Sequence, residues 1–183
     1  TAIAIADHGL SDSLEKMAIA LLERAPQRFA MAGHSMGGRV AFEVVRRAPE
    51  RLAGLALLDT DYMQRRSGEA GEREQAGRHA LLHKARTEGM RAMGAEWTQR
   101  MVHPERLSDS ALIEAILDMI ERQTVDIFEA QIKALLARRD STPLLPEIQC
   151  PTLVLCGRQD GWSVPARHEE MAATIPNSSL AVI

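Results

Sequence analysis

The chain has 183 residues and a formal net charge of −3, room for one sizeable core with an insertion. Hydrophobic residues make up 45% and charged residues 26%, the balance of an ordinary globular protein. The slight acidity removes any electrostatic case for nucleic acid or an anionic membrane surface, and no apolar run is long enough to span a bilayer.

Residues 1–6 alternate Ile3 and Ile5 with small residues and predict a strand. Asp7 to Ser11 is a loop. Asp12 and Glu15 have capping-box spacing and predict a helix start. Leu14, Met17, Ala18, Leu21, Leu22 and Ala25 then recur at helical spacing until Pro26 ends the run. Residues 28–32 predict a second strand.

The stretch that follows, Gly33-His34-Ser35-Met36-Gly37-Gly38, has the G-x-S-x-G form of a nucleophile elbow. Its context is the required one, an apolar strand before and a helical pattern of Val40, Ala41, Val44 and Val45 after. In such a turn the serine Oγ stands above the sheet edge. Gly33 and Gly37 leave room for close backbone approach, and the Met36 amide faces the space where an oxyanion would form. No Gly-Lys-Ser/Thr ending or G-x-G-x-x-G spacing supports a nucleotide loop instead.

Leu55 to Leu58 is a fully apolar strand closed by Asp59-Thr60. Alternating strands and helices with continuous apolar strands predict a parallel sheet covered on both faces. The pattern then changes. About 90 residues precede the next strand at 152–156, far more than one crossover needs. Between them Met90, Met93, Trp97 and Met101 form a helical stripe. Ser108 or Asp109 can cap a helix bearing Leu112, Ile113, Ile116, Leu117 and Ile120, and Ile127 to Leu136 suggests another. Residues 62–145 therefore read as a helical insertion between core segments 1–61 and 146–183, placed to act as a lid.

After the strand at 152–156 come Gly157 to Asp160, then Trp162, Val164 and Pro165, the last suited to a helix N-terminus. Leu180 to Ile183 predicts a final strand. Cys150 and Cys156 fall on one predicted strand, about 20 Å apart, beyond disulfide reach. Two buried reduced thiols suit a cytoplasmic protein.

The elbow, the Leu-Leu-Asp-Thr at 57–60 and the Pro-Thr-Leu-Val-Leu-Cys-Gly-Arg-Gln-Asp run at 151–160 resemble the α/β-hydrolase superfamily. The resemblance covers essentially the whole chain, with 62–145 matching only as a helical cap. It implies a partial α/β-hydrolase fold, a mainly parallel sheet flanked by helices, and a serine hydrolase triad in the order Ser, Asp, His. Ser35 matches the nucleophile and Asp160 the acid, with Asp59 the runner-up. The family's histidine follows the last strand. None of the six histidines fits: His34 reads as a packed residue beneath the elbow, and His79 and His83 as a solvated helix face. The base is expected beyond Ile183. The strand that would pair 1–6 with 28–32, and the second oxyanion donor, are also missing, so the chain is expected to be a fragment cut at both ends.

The implied activity is cleavage of an ester-like bond of a small molecule. Trp162, Val164 and Trp97 are the candidate substrate contacts. No cofactor, metal, nucleic acid or membrane partner is expected. The alternative is a degenerate hydrolase fold that binds a small molecule without turning it over.

Overall fold

The computed structural model describes residues 2–183. Helix α1 (Leu14–Arg24) starts at Ser13, not at Asp12. The Ser13 hydroxyl accepts from Lys16 N at 3.1 Å, while Asp12 pairs with the Lys16 ammonium at 2.7 Å. Both residues have capping chemistry, but Ser13 is the one next to the first helical residue, with the extended backbone an N-cap needs (φ −144°). Ala25 is extended because Pro26 follows it.

Strand β1 (Phe29–His34), helix α2 (Met36–Arg47) and strand β2 (Leu52–Leu58) form the first crossover. Strand β3 (Thr152–Cys156), helix α7 (Pro165–Thr174) and strand β4 (Ser178–Val182) form the last. The sheet is all parallel, in the order β1-β2-β3-β4. Val40, Phe42 and Val44 of α2 pack with Leu55, Leu57 and Val154 of the sheet, and with Met17 of α1 and Met171 of α7. Burial of that apolar surface supplies the main stabilisation of the core. Glu43 lies within it at 3% exposure, its charge met by Arg139 at 2.5 Å.

Two expectations fail here. Residues 2–6 form no strand, and Ile3 and Ile5 are each 92% exposed. An alternating pattern makes a strand only where a partner strand supplies hydrogen bonds, and the free edge of β1 has none among the described residues. The sheet is also not covered on both faces. Ala30 and Ala32 are exposed, and Gly54, Ala56, Leu153 and Leu155 are half-buried on the face away from α1 and α2. Cys150 precedes β3 and is half-buried, whereas Cys156 is buried; both are free.

Between β2 and β3 run α3 (Gly68–Glu88), α4 (Met90–Thr98), α5 (Ser110–Glu121) and α6 (Val125–Leu136). They have a small core of their own. Ala85, Met90, Met93 and Ile120 are its buried members, with Trp97, Ile116 and Phe128 packed against them. Gly94 lets α4 and α5 approach, since a Cβ there would lie 3.0 Å from Ile120. Asp109 is the cap of α5, accepting from Leu112 N at 3.1 Å. Met101 lies past the end of α4 and is exposed, so the stripe ends at Trp97.

Glu74 on α3 ties this layer together. It accepts two bonds of 2.8 Å from Arg138 and two, of 2.9 and 3.0 Å, from Arg78. Burial raises the Glu74 carboxyl pKa, but the two guanidiniums outweigh it and hold the group below its ordinary value. Beside them Arg39 of α2 donates to the Met63 carbonyl at 2.8 Å; burial first, then the neighbouring Arg138, push its pKa down to about 10. A carboxylate with a depressed folded pKa stabilises above its unfolded pKa and loses that contribution as pH falls through the folded value. Glu74→Gln is therefore expected to cost about 1–2 kcal/mol at pH 7. It should also flatten the fall in stability below about pH 4.5. Denaturant unfolding across pH measures both.

Candidate active site

The turn between β1 and α2 carries Ser35 at φ 50°, ψ −112°. Among the described non-glycine residues only Ser35 and Asp59 have positive φ. For a residue with a Cβ this backbone costs about 1–3 kcal/mol and persists where its surroundings hold it. The holding contacts are visible. Ser35 N donates to Leu58 O at 2.9 Å. The Ser35 carbonyl accepts from Gly38 N at 3.1 Å, Arg39 N at 3.4 Å and the Thr60 hydroxyl at 2.7 Å. The Ser35 residue is exposed. The Met36 amide, first in α2, donates to no acceptor among the described residues, as expected of a helix N-terminus.

The glycines divide differently from the sequence reading. A Cβ on Gly33 would sit 2.4 Å from Gly37 O, and one on Gly38 would sit 2.5 Å from Thr60 Oγ1. A Cβ on Gly37 would meet nothing within 4 Å. Gly33 and Gly38 are the steric requirements of the turn. Gly37 supplies its backbone as the obstacle facing Gly33.

Parallel register brings the strand ends level. His34 pairs with Leu58, and Leu58 with Leu155. Ser35, Asp59 and Cys156 each follow that row. The loop 157–164 leaves β3 there and carries Asp160. Asp160 Oδ1 accepts from Trp162 N at 2.7 Å and Ser163 N at 2.9 Å. That is an Asx turn; Oδ2 has no partner among the described residues. Asp59 Oδ1 accepts from Gly157 N at 2.9 Å, and its Oδ2 lies 3.8 Å from His34 Nε2. Trp162 and Val164 are 47% and 41% exposed. The Arg100 guanidinium lies 5.8 Å from the Trp162 ring centroid, joining the helical layer to the acid-bearing loop. Trp97 is half-buried against the helical core.

His34 is not packed beneath the elbow; its side chain is 64% exposed at the strand end. The small residues beside it on that sheet face leave nothing to cover it. His8 is half-buried in the first loop, and burial, opposed by Asp7, lowers its pKa. His79 and His83 are exposed on α3. His103 Nδ1 accepts from Glu105 N at 3.2 Å. His168 is fully buried on α7, with Nε2 accepting from Thr60 N at 3.2 Å. None of the six is hydrogen-bonded to Ser35 or Asp160. No group of three or more His, Cys, Asp and Glu side chains among the described residues could hold a metal.

Thr60 and His168 are the contributors that sequence reasoning missed. One signal was present. His168, Met171 and Ile175 share one helical face, which puts the histidine on the buried side of α7.

The family model described as alpha/beta hydrolase fold matches residues 7–183. The chain belongs to that family. Among solved structures it is similar to a thermophilic esterase from Thermogutta terrifontis, at 32% identity and a TM-score of 0.80, covering 99% of this chain and 66% of that one. It also matches the fold of an enol-lactonase from Burkholderia xenovorans, at 23% identity and a TM-score of 0.76, covering 97% and 66%. A pimeloyl-[acyl-carrier protein] methyl ester esterase from Nitrosomonas europaea is 39% identical over 56 residues, 28% of this chain and 22% of that protein. The chain thus spans about two thirds of the length of the two solved hydrolases. No helix among the described residues is long and apolar enough to cross a membrane.

Alanine substitutions test the steric assignment of this hydrolase turn. Gly33→Ala and Gly38→Ala are expected to cost about 3 kcal/mol or more, as overpacking against backbone and a buried side chain does. Gly37→Ala should leave the melting temperature unchanged or slightly raised, because alanine is the better helix former.

Proposed function

We propose that the protein is a serine hydrolase that cleaves an ester-like bond of a small molecule through an acyl-enzyme on Ser35. The observation that carries this reading is the exposed Ser35, held at positive φ at the start of α2 and level with the strand that feeds the Asp160 loop. Similarity to an esterase at 32% identity supports it.

In this mechanism Ser35 Oγ gives its proton to a histidine and bonds to the ester carbonyl carbon. The carbonyl electrons move to oxygen, and that oxyanion is met by the Met36 N–H and a second donor outside residues 1–183. The intermediate collapses, the ester C–O bond breaks, and the histidine returns the proton to the departing alcohol. Water, deprotonated by the same histidine, then releases the acid. Asp160 Oδ2 orients the imidazole and stabilises its cation, while Oδ1 keeps the loop in shape.

The base is a histidine outside residues 1–183. Ile183 O accepts from Arg158 N at 2.8 Å, so a segment leaving β4 starts beside the acid loop. The helices α3–α6 act as a cap that excludes water. Trp162 and Val164 on the 157–164 loop, and Trp97 on α4, contact an apolar acyl group.

One observation favours a second reading, a non-catalytic small-molecule binder: no histidine among the described residues is bonded to Ser35 or Asp160. A fluorophosphonate probe separates the two. On the whole protein it should label Ser35, with labelling abolished by Ser35→Ala; an unreactive Ser35 leaves the binder.

Residues 1–183 alone should be nearly inactive, since loss of the base lowers kcat by orders of magnitude. Esterase turnover by that segment, abolished by Ser35→Ala, would place the base within it. In the whole protein Asp160→Asn should lower kcat about a thousandfold or more.

A further inference from the structure

We propose that Thr60, oriented by the buried imidazole of His168, is a positioning residue for Ser35, and that the Asp59-Thr60 pair fixes the nucleophile turn relative to the acid-bearing loop. This inference rests on Ser35 being the nucleophile.

Thr60 is 1% exposed and bonded on two sides. Its hydroxyl donates to the Ser35 carbonyl at 2.7 Å, shorter than either helical amide bond to that oxygen. Its side chain fills the space in front of Gly38, where even a Cβ would collide with it. Its amide donates to His168 Nε2 at 3.2 Å.

The directions of these bonds are fixed by chemistry. A backbone amide can only donate, so Nε2 of His168 carries no proton. The neutral ring then holds its proton on Nδ1, which lies 3.3 Å from the Val164 carbonyl. A carbonyl can only accept, so the Thr60 proton points at Ser35. The result is one connected path in which Thr60 donates both ways, through its hydroxyl to Ser35 and through its amide to the His168 ring, which donates on to Val164.

Val164 is the last residue before α7 and closes the loop that bears Asp160. Gly157 opens that loop, and its amide donates to Asp59 Oδ1 at 2.9 Å. Both ends of the acid loop are therefore fastened to one dipeptide, Asp59-Thr60, and the same dipeptide holds the Ser35 carbonyl. Valine would fill the Thr60 site equally well and leave no buried hydroxyl to satisfy. The Ser35 carbonyl would still have two helical donors. What the hydroxyl adds is orientation of the serine.

The test compares Thr60→Val, Thr60→Ser, His168→Leu and His168→Gln in the whole protein. Thr60→Val keeps the shape and loses the bond. It should slow fluorophosphonate labelling of Ser35 and lower kcat by about 10- to 100-fold, the scale of a displaced catalytic group, with KM unchanged. Thr60→Ser should recover most of the rate. His168→Gln, whose amide oxygen can take the place of Nε2, should outperform His168→Leu. Nitrogen NMR of His168 should show a protonated Nδ1 and a bare Nε2, and the Thr60 amide should exchange faster in His168→Leu.

Wild-type labelling by Thr60→Val, or equal rates for the valine and serine variants, would overturn the proposal; so would a protonated Nε2. If wild-type Ser35 itself is unreactive, the catalytic reading fails. The imidazole tautomer and the Thr60 amide exchange still decide the linkage from His168 to Thr60.

Discussion

The bond from the Ser35 amide to the Leu58 carbonyl extends the β1–β2 ladder one residue beyond β1. The chain has already turned at that residue, so the bond fastens the turn to the sheet. With the Ser35 carbonyl held from the other side, neither flanking peptide is free to rotate. A turn secured in this way can keep a residue at φ 50° that would otherwise relax. The Thr60 contact and the Met36 amide both depend on where this turn sits.

Sequence reading succeeds where the determinants are local. The elbow is legible because its glycines and serine are adjacent in the chain, and turn chemistry acts over four or five residues. The helices around it follow from apolar spacing and prolines. The reading fails where an element depends on a distant partner. Residues 2–6 carry a strand pattern with no strand to pair with. Gly38 looks like an extra glycine until Thr60, 22 positions later in the sequence, is seen packed on it. His168 shares a helical face with Met171 and Ile175 in the sequence, but its bond to the Thr60 amide exists only once that face packs on the sheet. The place of Asp160 after a strand is legible in the sequence. The division of its oxygens, one for the loop and one free, is a tertiary fact.

The contact that holds the helical layer together and the one that joins it to the 157–164 loop differ in kind. The Arg138–Glu74 pair is bidentate and largely shielded, with 8% and 21% of the two side chains exposed. Shielding and double geometry make such a pair more rigid than a surface ion pair. The Arg100–Trp162 contact lies at the solvent edge and is a single face-on approach. Contacts of that sort contribute about 0.5–1 kcal/mol when exposed. The Glu74 pair thus stiffens the layer itself, while the Arg100–Trp162 contact to the loop is of the weaker kind.

The two positive-φ residues also have a common logic. Ser35 and Asp59 each follow the last paired residue of adjacent parallel strands, His34 and Leu58. A parallel strand must turn away from its neighbour at its carboxyl end to begin the crossover, and two neighbours ending level compete for the same space. The left-handed conformation turns the chain within one residue, which lets both strands end in register. At Ser35 this lifts a hydroxyl clear of the sheet. At Asp59 it aims a carboxylate sideways at the Gly157 amide. The same geometric need thus yields an exposed hydroxyl at one strand end and a clamp for the 157–164 loop at the next.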